Sequence, residues 1–395
     1  MSWMTTHIKG QRPDHPQKPV VITHLNDVLP RVHANKGLKV YTTGPFTVVV
    51  YAINAPEVFA EDVDFEARGL LFDTQTGQLL SRPLHKAFGF DERRTPEDIP
   101  FEKGAWIEDK IDGSMVAGFV WDHAANVHTK SGVTKHAKMA QQDLRAQHKE
   151  LIQAAWKDGF TPSFEWTTPH NRIVIGHDVV SFTLLAMRDR QTGRYDFEAR
   201  KTYSERFDVP LPKTLAHLNT PQEARDWAKN IHNMEGIEGG MLWTPDGLAQ
   251  KMKTRFYLRR HKALSALSVE KNAFAAVVQE HDDDIVQALP NEQGAFLSTY
   301  AQQVRQRLFD IAQQAKDEAE QRAHLDQKSA FQDVQNNIPK HMIPVVMMAL
   351  RGKDPLKGTI GIWERNLSSA QKVENLKTDW DIPRWSPPKG MFLKE

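Results

Sequence analysis

The chain reads as an α+β protein: a domain of antiparallel sheets followed by an all-α domain. Three observations predict this. From Val40 to Leu258 the apolar residues fall in short β-branched or aromatic runs bounded by turn residues, such as Phe46 to Ile53 and Val180 to Met187. Two helical patterns interrupt those runs. Beyond Leu258 the period lengthens to that of amphipathic helices, and at 395 residues the chain has room for about two domains.

Residues 1–39 form an N-terminal lead, polar and rich in Pro and His before about Val20. Phe65 to Phe72 reads as a strand with one embedded arginine, Arg68. Trp106 to Lys110 reads as a strand, and Ile111-Asp112-Gly113 turns it back into a second strand from Ser114, glycine permitting the reversal. A helix is expected from near Thr134 to Lys157, with Ala140, Leu144, Leu151 and Ala155 on one face. Gln191-Thr-Gly193 and Pro245-Asp-Gly247 are hairpin turns. Thr220-Pro221-Gln222-Glu223 is a capping box with Pro at the first helical position. In residues 259–395, Phe296, Tyr300, Val304, Leu308 and Ile311 recur at helical spacing. The helical tail ends near Asp381 in the segment Ile382-Pro-Arg-Trp-Ser-Pro-Pro388.

A net charge of +1 gives no strongly basic total, which argues against a nucleic-acid-coating protein but not against an enzyme with a locally basic groove. Cysteine is absent, excluding disulfides, cysteine–zinc sites and thiol catalysis. Residues 1–12 lack an apolar signal core, so the cytoplasm is the expected compartment. The run Ile343 to Leu350 is too short to span a bilayer, and no membrane partner is expected. The scattered histidines, His123, His128 and His136 among them, lack metal-ligand spacing.

Several charged residues are candidates for chemistry, each beside a structural alternative; for Lys110 alone that alternative is a strand-edge ion pair with Asp109 or Asp112. Lys110, at a strand end in Lys110-Ile-Asp112-Gly113-Ser114, could act as a nucleophile, because nearby positive charge or a metal ion helps its amine lose a proton. Glu165 lies between Phe164 and Trp166, and Arg68 precedes Leu70-Leu71-Phe72; both charges need a compensating partner if buried. Lys251 and Lys253 alternate on one strand face, a clamp suited to a polyphosphate. Glu235 and Glu238 compete for one acidic role upstream of that clamp. Asp282-Asp283-Asp284 is either a metal site through Asp283 and Asp284 or a helix-start cluster favoured by the macrodipole.

The ordered set resembles the covalent nucleotidyltransferases: Ala-Arg68-Gly-Leu-Leu-Phe, Ser-Arg-Pro-Leu-His-Lys86, Lys110-Ile-Asp-Gly-Ser, Phe-Glu165-Trp, Glu238-Gly-Gly, and Lys251-Met-Lys253. Within them it is most similar to the RNA ligase 1 family, over about Val40 to Leu258. That resemblance implies a nucleotidyltransferase (ATP-grasp-like ligase) domain and an ATP-dependent RNA ligase with Lys110 as the AMP-accepting nucleophile. It implies ATP contacts at Arg68, Lys86, Lys130, Glu165, Glu238, Lys251 and Lys253. It also implies Mg²⁺, with Mn²⁺ as a substitute, held by Glu165 and Glu238 through water. The partners implied are RNA with 5′-phosphate and 3′-hydroxyl ends, tRNA among them, and an end-healing kinase/phosphatase; a phage-encoded enzyme would work in the host cytoplasm. Family position relative to the Lys-x-Lys pair favours Glu238 over Glu235. Gly240 stands where the family more often has a bulkier residue. DNA ligases and capping enzymes share the motifs but follow them with a β-barrel, whereas 259–395 reads as helical, the domain expected to choose the RNA. A DNA ligase, a capping enzyme and a non-catalytic nucleic-acid-binding relative are the alternatives.

Overall fold

The computed structural model describes residues 18, 20–170, 173–388 and 391–392. Residues 1–17 and 19 of the N-terminal lead, and Asn171 and Arg172, lie outside the described residues. The chain divides into two compact units, residues 1–258 and 259–395.

The first unit is built on three sheets. Strands β1 (Leu38–Thr43), β2 (Phe46–Tyr51), β3 (Arg68–Asp73) and β4 (Leu79–Ser81) form an antiparallel sheet in chain order. The remaining strands are β5 (Phe88–Gly89), β6 (Ala105–Lys110), β7 (Ser114–Trp121), β8 (Ala124–His128), β9 (Phe160–Thr167), β10 (Ser181–Asp189), β11 (Thr214–Leu218), β12 (Gly239–Trp243) and β13 (Ala249–Lys253). One sheet runs β10-β9-β7-β8, the other β11-β6-β12-β13-β5. The helices here are α1 (Leu29–Ala34), α2 (Asp62–Glu66), α3 (Lys135–Asp143), α4 (Ala146–Lys157), α5 (Phe197–Phe207) and α6 (Pro221–His232).

Apolar side chains from helices and from the lead pack onto the sheets. Leu151, Ile152 and Ala155 of α4 pack with Val116, Phe164 and Leu184 of the β7–β10 sheet. Ala224 and Ile231 of α6 pack with Ile107, Leu242 and Met252. Ile22, Val28, Val32 and Leu38 join Val49, Leu70 and Phe72, so the described part of the lead is core. Its short 3-10 and helical turns have no period for a sequence pattern to show.

Three expected elements differ. Phe65 and Glu66 end a helix, α2, and the strand begins only at Arg68. The helix expected from Thr134 to Lys157 is two, because Leu144 takes an extended backbone and Arg145 caps a new helix. The strands either side of the lysine turn are not a hairpin: β6 pairs with β11 and β12, β7 with β8 and β9. The turn at 111–113 therefore carries the chain from one sheet to another. At α6 half of the expected capping box forms: Thr220 accepts from the Glu223 amide, while the Glu223 carboxylate accepts from the Asn219 amide, one residue before the N-cap.

The second unit contains α8 (Glu270–Val278), α9 (Asp282–Ala288), α10 (Asn291–Gln321), α11 (Gln327–Asn337), α12 (Ile343–Leu350), α13 (Pro355–Asn366) and α14 (Ala370–Asp379); α7 (Arg255–Leu267) precedes them. The long helix α10 buries Leu297, Tyr300, Val304 and Ile311. Trp385 of the Pro/Trp tail packs edge-on to Tyr300 and donates to the Leu267 carbonyl at 2.7 Å. Among the described residues, no helix is long and apolar enough to cross a membrane.

Candidate active site

Because the lysine turn joins two sheets, Lys110 ends its strand in the cleft between them. The reversal is locked from both sides. A Cβ on Gly113 would come within 2.6 Å of the Trp166 carbonyl oxygen, so only glycine fits. Asp112 Oδ2 accepts from the amides of Val174 and Ile175 at 2.8 and 2.7 Å, its Oδ1 accepts from the Tyr257 hydroxyl at 2.8 Å, and its carbonyl lies 2.8 Å from His177 Nε2. A carboxylate with that many donors is a brace, and it fixes the backbone two residues from Lys110.

Strand pairing then assembles the charges. Gly239 sits opposite Lys110 on one side and Lys253 on the other. The preceding residue, Glu238, is buried, and its Oε1 receives both ammonium groups, Lys110 at 2.8 Å and Lys253 at 2.9 Å. Glu235 is exposed, so the geometry selects Glu238. A Cβ on Gly240 would meet Ile107 and Ile231 at 2.7 and 2.8 Å. The small residue is demanded by packing away from the cleft, while Met241 lines the cleft.

The cleft is lined by Arg68, Lys86, Lys110, Glu165 and Lys251, with Met115, Leu185, Tyr195, Met241 and Trp243 as apolar wall. That is the composition of a site for a flat apolar group carrying negative charge. Burial is the main reason the Lys251 ammonium falls to about 7, with Lys86, Arg68, Lys253 and Lys110 adding repulsion. Lys86 falls to about 8 through burial and then Arg68, its Nζ lying 4.9 Å from the Phe88 ring centre. Lys130 also falls to about 8, through burial followed by Arg68 and Lys86, and sits 3.4 Å over the Tyr51 ring. Arg68 Nη1 points at Met115 Sδ, 2.9 Å away. Burial pushes the Glu165 carboxyl up to about 7, partly offset by Lys110. Burial and Glu238 raise the neighbouring Asp109.

Asp283 and Asp284 are exposed in the first turn of α9, and Asp282 is buried against Arg305 at 2.7 Å. No group of three metal-ligating side chains occurs among the described residues; the three aspartates stand in the first turn of α9, where the helix dipole favours negative charge. His128 and His136 have hydroxyl partners, Ser81 and Ser114, each at 2.8 Å.

Sequence reasoning missed the partners that hold the site. Asp112 was visible in its motif, but no local pattern ties it to Tyr257. Nor does one show that Glu108, on the cleft floor, is paired with buried Arg200.

Comparison with known proteins shows the family. The family described as RNA ligase matches residues 66–263, half of the chain. A Thermovibrio ammonificans protein named as an RNA ligase is 26% identical over 275 residues, covering 68% of this chain and 72% of that one. RNA ligase 1 of Bacteriophage TS2126 is 24% identical over 260 residues, 61% of this chain and 62% of the relative. Among solved structures, an archaeal ATP-dependent RNA ligase gives a TM-score of 0.44 at 15% identity, with 61% of this chain and 64% of that chain covered. The chain belongs to the RNA ligase 1 family.

Proposed function

We propose that the protein is an ATP-dependent RNA ligase that seals a 5′-phosphate to a 3′-hydroxyl through two adenylated intermediates. The observation that carries this is Lys110, at a sheet-to-sheet turn, with its Nζ on the same Glu238 oxygen as Lys253 in a cationic cleft. In the first step the Lys110 amine attacks the α-phosphorus of ATP. A P–N bond forms, the bond to the bridging oxygen breaks, and pyrophosphate leaves. An RNA 5′-phosphate oxygen then attacks that phosphorus and frees the lysine. Finally the RNA 3′-hydroxyl attacks the 5′-phosphorus and AMP departs.

Transfers of this kind depend on positioning and charge neutralisation. Lys251 and Lys253 would face the phosphates, and Arg68, Lys86 and Lys130 would hold ribose or phosphate oxygens. Glu165 and Glu238 suit a divalent ion that keeps several waters, since no three acids converge to grip a bare one among the described residues. Such an ion, Mg²⁺ or Mn²⁺, would neutralise charge developing on the phosphates. The helical residues 259–395 would select the RNA, tRNA being one suitable substrate, with an end-healing kinase/phosphatase preparing its ends.

The test is incubation with radiolabelled ATP and Mg²⁺ followed by denaturing electrophoresis, then sealing assays on RNA and on nicked DNA. Label on the protein and joined RNA are expected. Absence of label refutes the covalent route; preference for nicked DNA refutes the substrate.

A further inference from the structure

Directly behind the cleft lies a buried ionic cluster that the reaction does not touch. Glu66 is flanked by two guanidiniums, Arg82 and Arg188, all three buried. Two positive charges against one negative charge, taken out of water, are a costly way to stabilise a fold; apolar packing of the same volume would usually serve as well. Where the donors go explains the cluster better. Arg188 is 1% exposed, and its Nε, Nη1 and Nη2 are all engaged. It donates to both Glu66 oxygens at 2.9 and 3.0 Å, to the Pro83 carbonyl, and from Nε and Nη2 to the Gly193 carbonyl at 2.9 and 2.7 Å. Its guanidinium also lies 4.7 Å from the Tyr195 ring centre.

Each anchored point lies within three residues of a group that lines the cleft. Glu66 is two residues before Arg68. Pro83 leads into Leu84, His85 and Lys86, and Gly193 is two residues before Tyr195. Tyr195 and His85 are joined in turn, hydroxyl to Nδ1, at 2.6 Å. Arg188 itself sits on β10, beside the strand that carries Glu165. Lysine could supply the charge but not the planar fork that reaches two carbonyls and a carboxylate together.

We infer that Arg188, held by Glu66, is a positioning residue that sets Lys86 and Tyr195 for the nucleotide through the Pro83 and Gly193 carbonyls. The inference rests on the proposed ATP reaction for its kinetic consequence only; the placement of Lys86 can be read without ATP.

Arg188→Lys and Glu66→Gln would be compared with Lys86→Met and with the double variant Arg188→Lys/Lys86→Met. Circular dichroism would establish folding in each. In enzyme adenylation, Arg188→Lys should raise the ATP KM about 10-fold or more with a smaller change in kcat, as misplacement of a binding group does. In the Lys86→Met background it should add less than about 2-fold, since coupled residues are not additive. Separately, acetylation of Lys86 by an amine-reactive ester, followed by mass spectrometry without nucleotide, should be several times faster in Arg188→Lys than in the wild type. Unchanged Lys86 labelling in folded Arg188→Lys overturns the inference, as does full additivity with Lys86→Met. If Arg188→Lys does not fold, the same two readouts on Glu66→Gln decide. A wild type that forms no adduct refutes the ligase reading, while the labelling comparison still settles the inference.

Discussion

Two lysines with buried or half-buried ammonium groups, one in each unit, show how a structural charge differs from a working one. In the helical unit, Lys377 is 1% exposed and fully answered. Its Nζ donates to Glu270 at 2.7 Å, to the Tyr300 hydroxyl at 2.7 Å and to the Pro383 carbonyl at 2.8 Å. Burial lowers it, and Glu270 pulls it back up. In the sheet unit, burial lowers Lys251 too, but the next influences are Lys86, Arg68, Lys253 and Lys110, all repulsive. A fold gains nothing by gathering like charges around a half-buried ammonium. Like charges gathered in this way are what a site for an anion would show. The Lys377 arrangement pins the C-terminal segment across α8 and α10; the Lys251 arrangement pins nothing comparable among the described residues.

Removing the nucleophile should have the largest effect. Lys110→Ala should abolish the covalent AMP adduct, as read by mass spectrometry of the peptide that contains residue 110. An adduct persisting in that variant would move the chemistry to another cleft amine. Next comes the acid that organises the amines. Glu238→Ala should lower adenylation by about 100-fold or more, because it removes the shared partner of Lys110 and Lys253. Exposed Glu235→Ala should change it less than about 2-fold by the same assay, surface changes being mild. The reverse pattern would break the assignment.

The comparison itself is sharpened by truncating each lysine. Lys251→Met should weaken ATP binding about 10-fold or more while leaving the melting temperature equal or higher, since repulsion is relieved. Lys377→Met should do the opposite. It removes the ammonium donor from the Tyr300 hydroxyl and from Glu270, which keeps the Trp385 amide, so the helical unit should melt lower, with the nucleotide affinity of the sheet unit little changed. Calorimetric melting and ATP titration of both variants would show whether the two roles separate.

The sequence displayed the chemistry more fully than its support. Every charge expected to meet ATP lies in or beside the cleft, because each belongs to a short motif whose residue types are dictated by phosphate chemistry. The strand–turn–strand around Lys110 was legible as local structure, yet its key property was not. Which sheet each strand joins depends on β9, β11 and β12, 50 to 130 residues away, and no local pattern encodes that pairing. Arg188 was invisible for a related reason: in sequence it is one more charge at a strand end, and only folding brings Glu66 and Pro83 to it. The break at Leu144 was missed because Leu144 keeps its apolar place in the periodicity while leaving the helical backbone.

The smallest expected effect concerns protons. Folding lowers Lys251 to about 7, and Lys86 and Lys130 to about 8, from an ordinary value of 10.5. Between those values the unfolded chain binds more protons than the folded one. These groups therefore cost stability at and below pH 7, and the cost is relieved as pH rises through that window. Glu165, raised from 4.5 to about 7, has the opposite sign: its favourable contribution, present below pH 4.5, is lost as pH rises through 7. The cleft is thus least favourable to the fold near neutrality, where it must hold an anion. A triphosphate among the lysines reverses their shift, because negative charge favours the ammonium. Nucleotide binding near pH 8.5 should then take up about two to three protons, and affinity should fall as pH rises beyond 7. Titration calorimetry of ATP into Lys110→Ala protein in two buffers of different ionisation enthalpy measures that uptake. Lys251→Met in the same background should reduce it. Absence of uptake would mean that the lysines are already fully charged in the free cleft, and the contrast with Lys377 would lose its electrostatic basis.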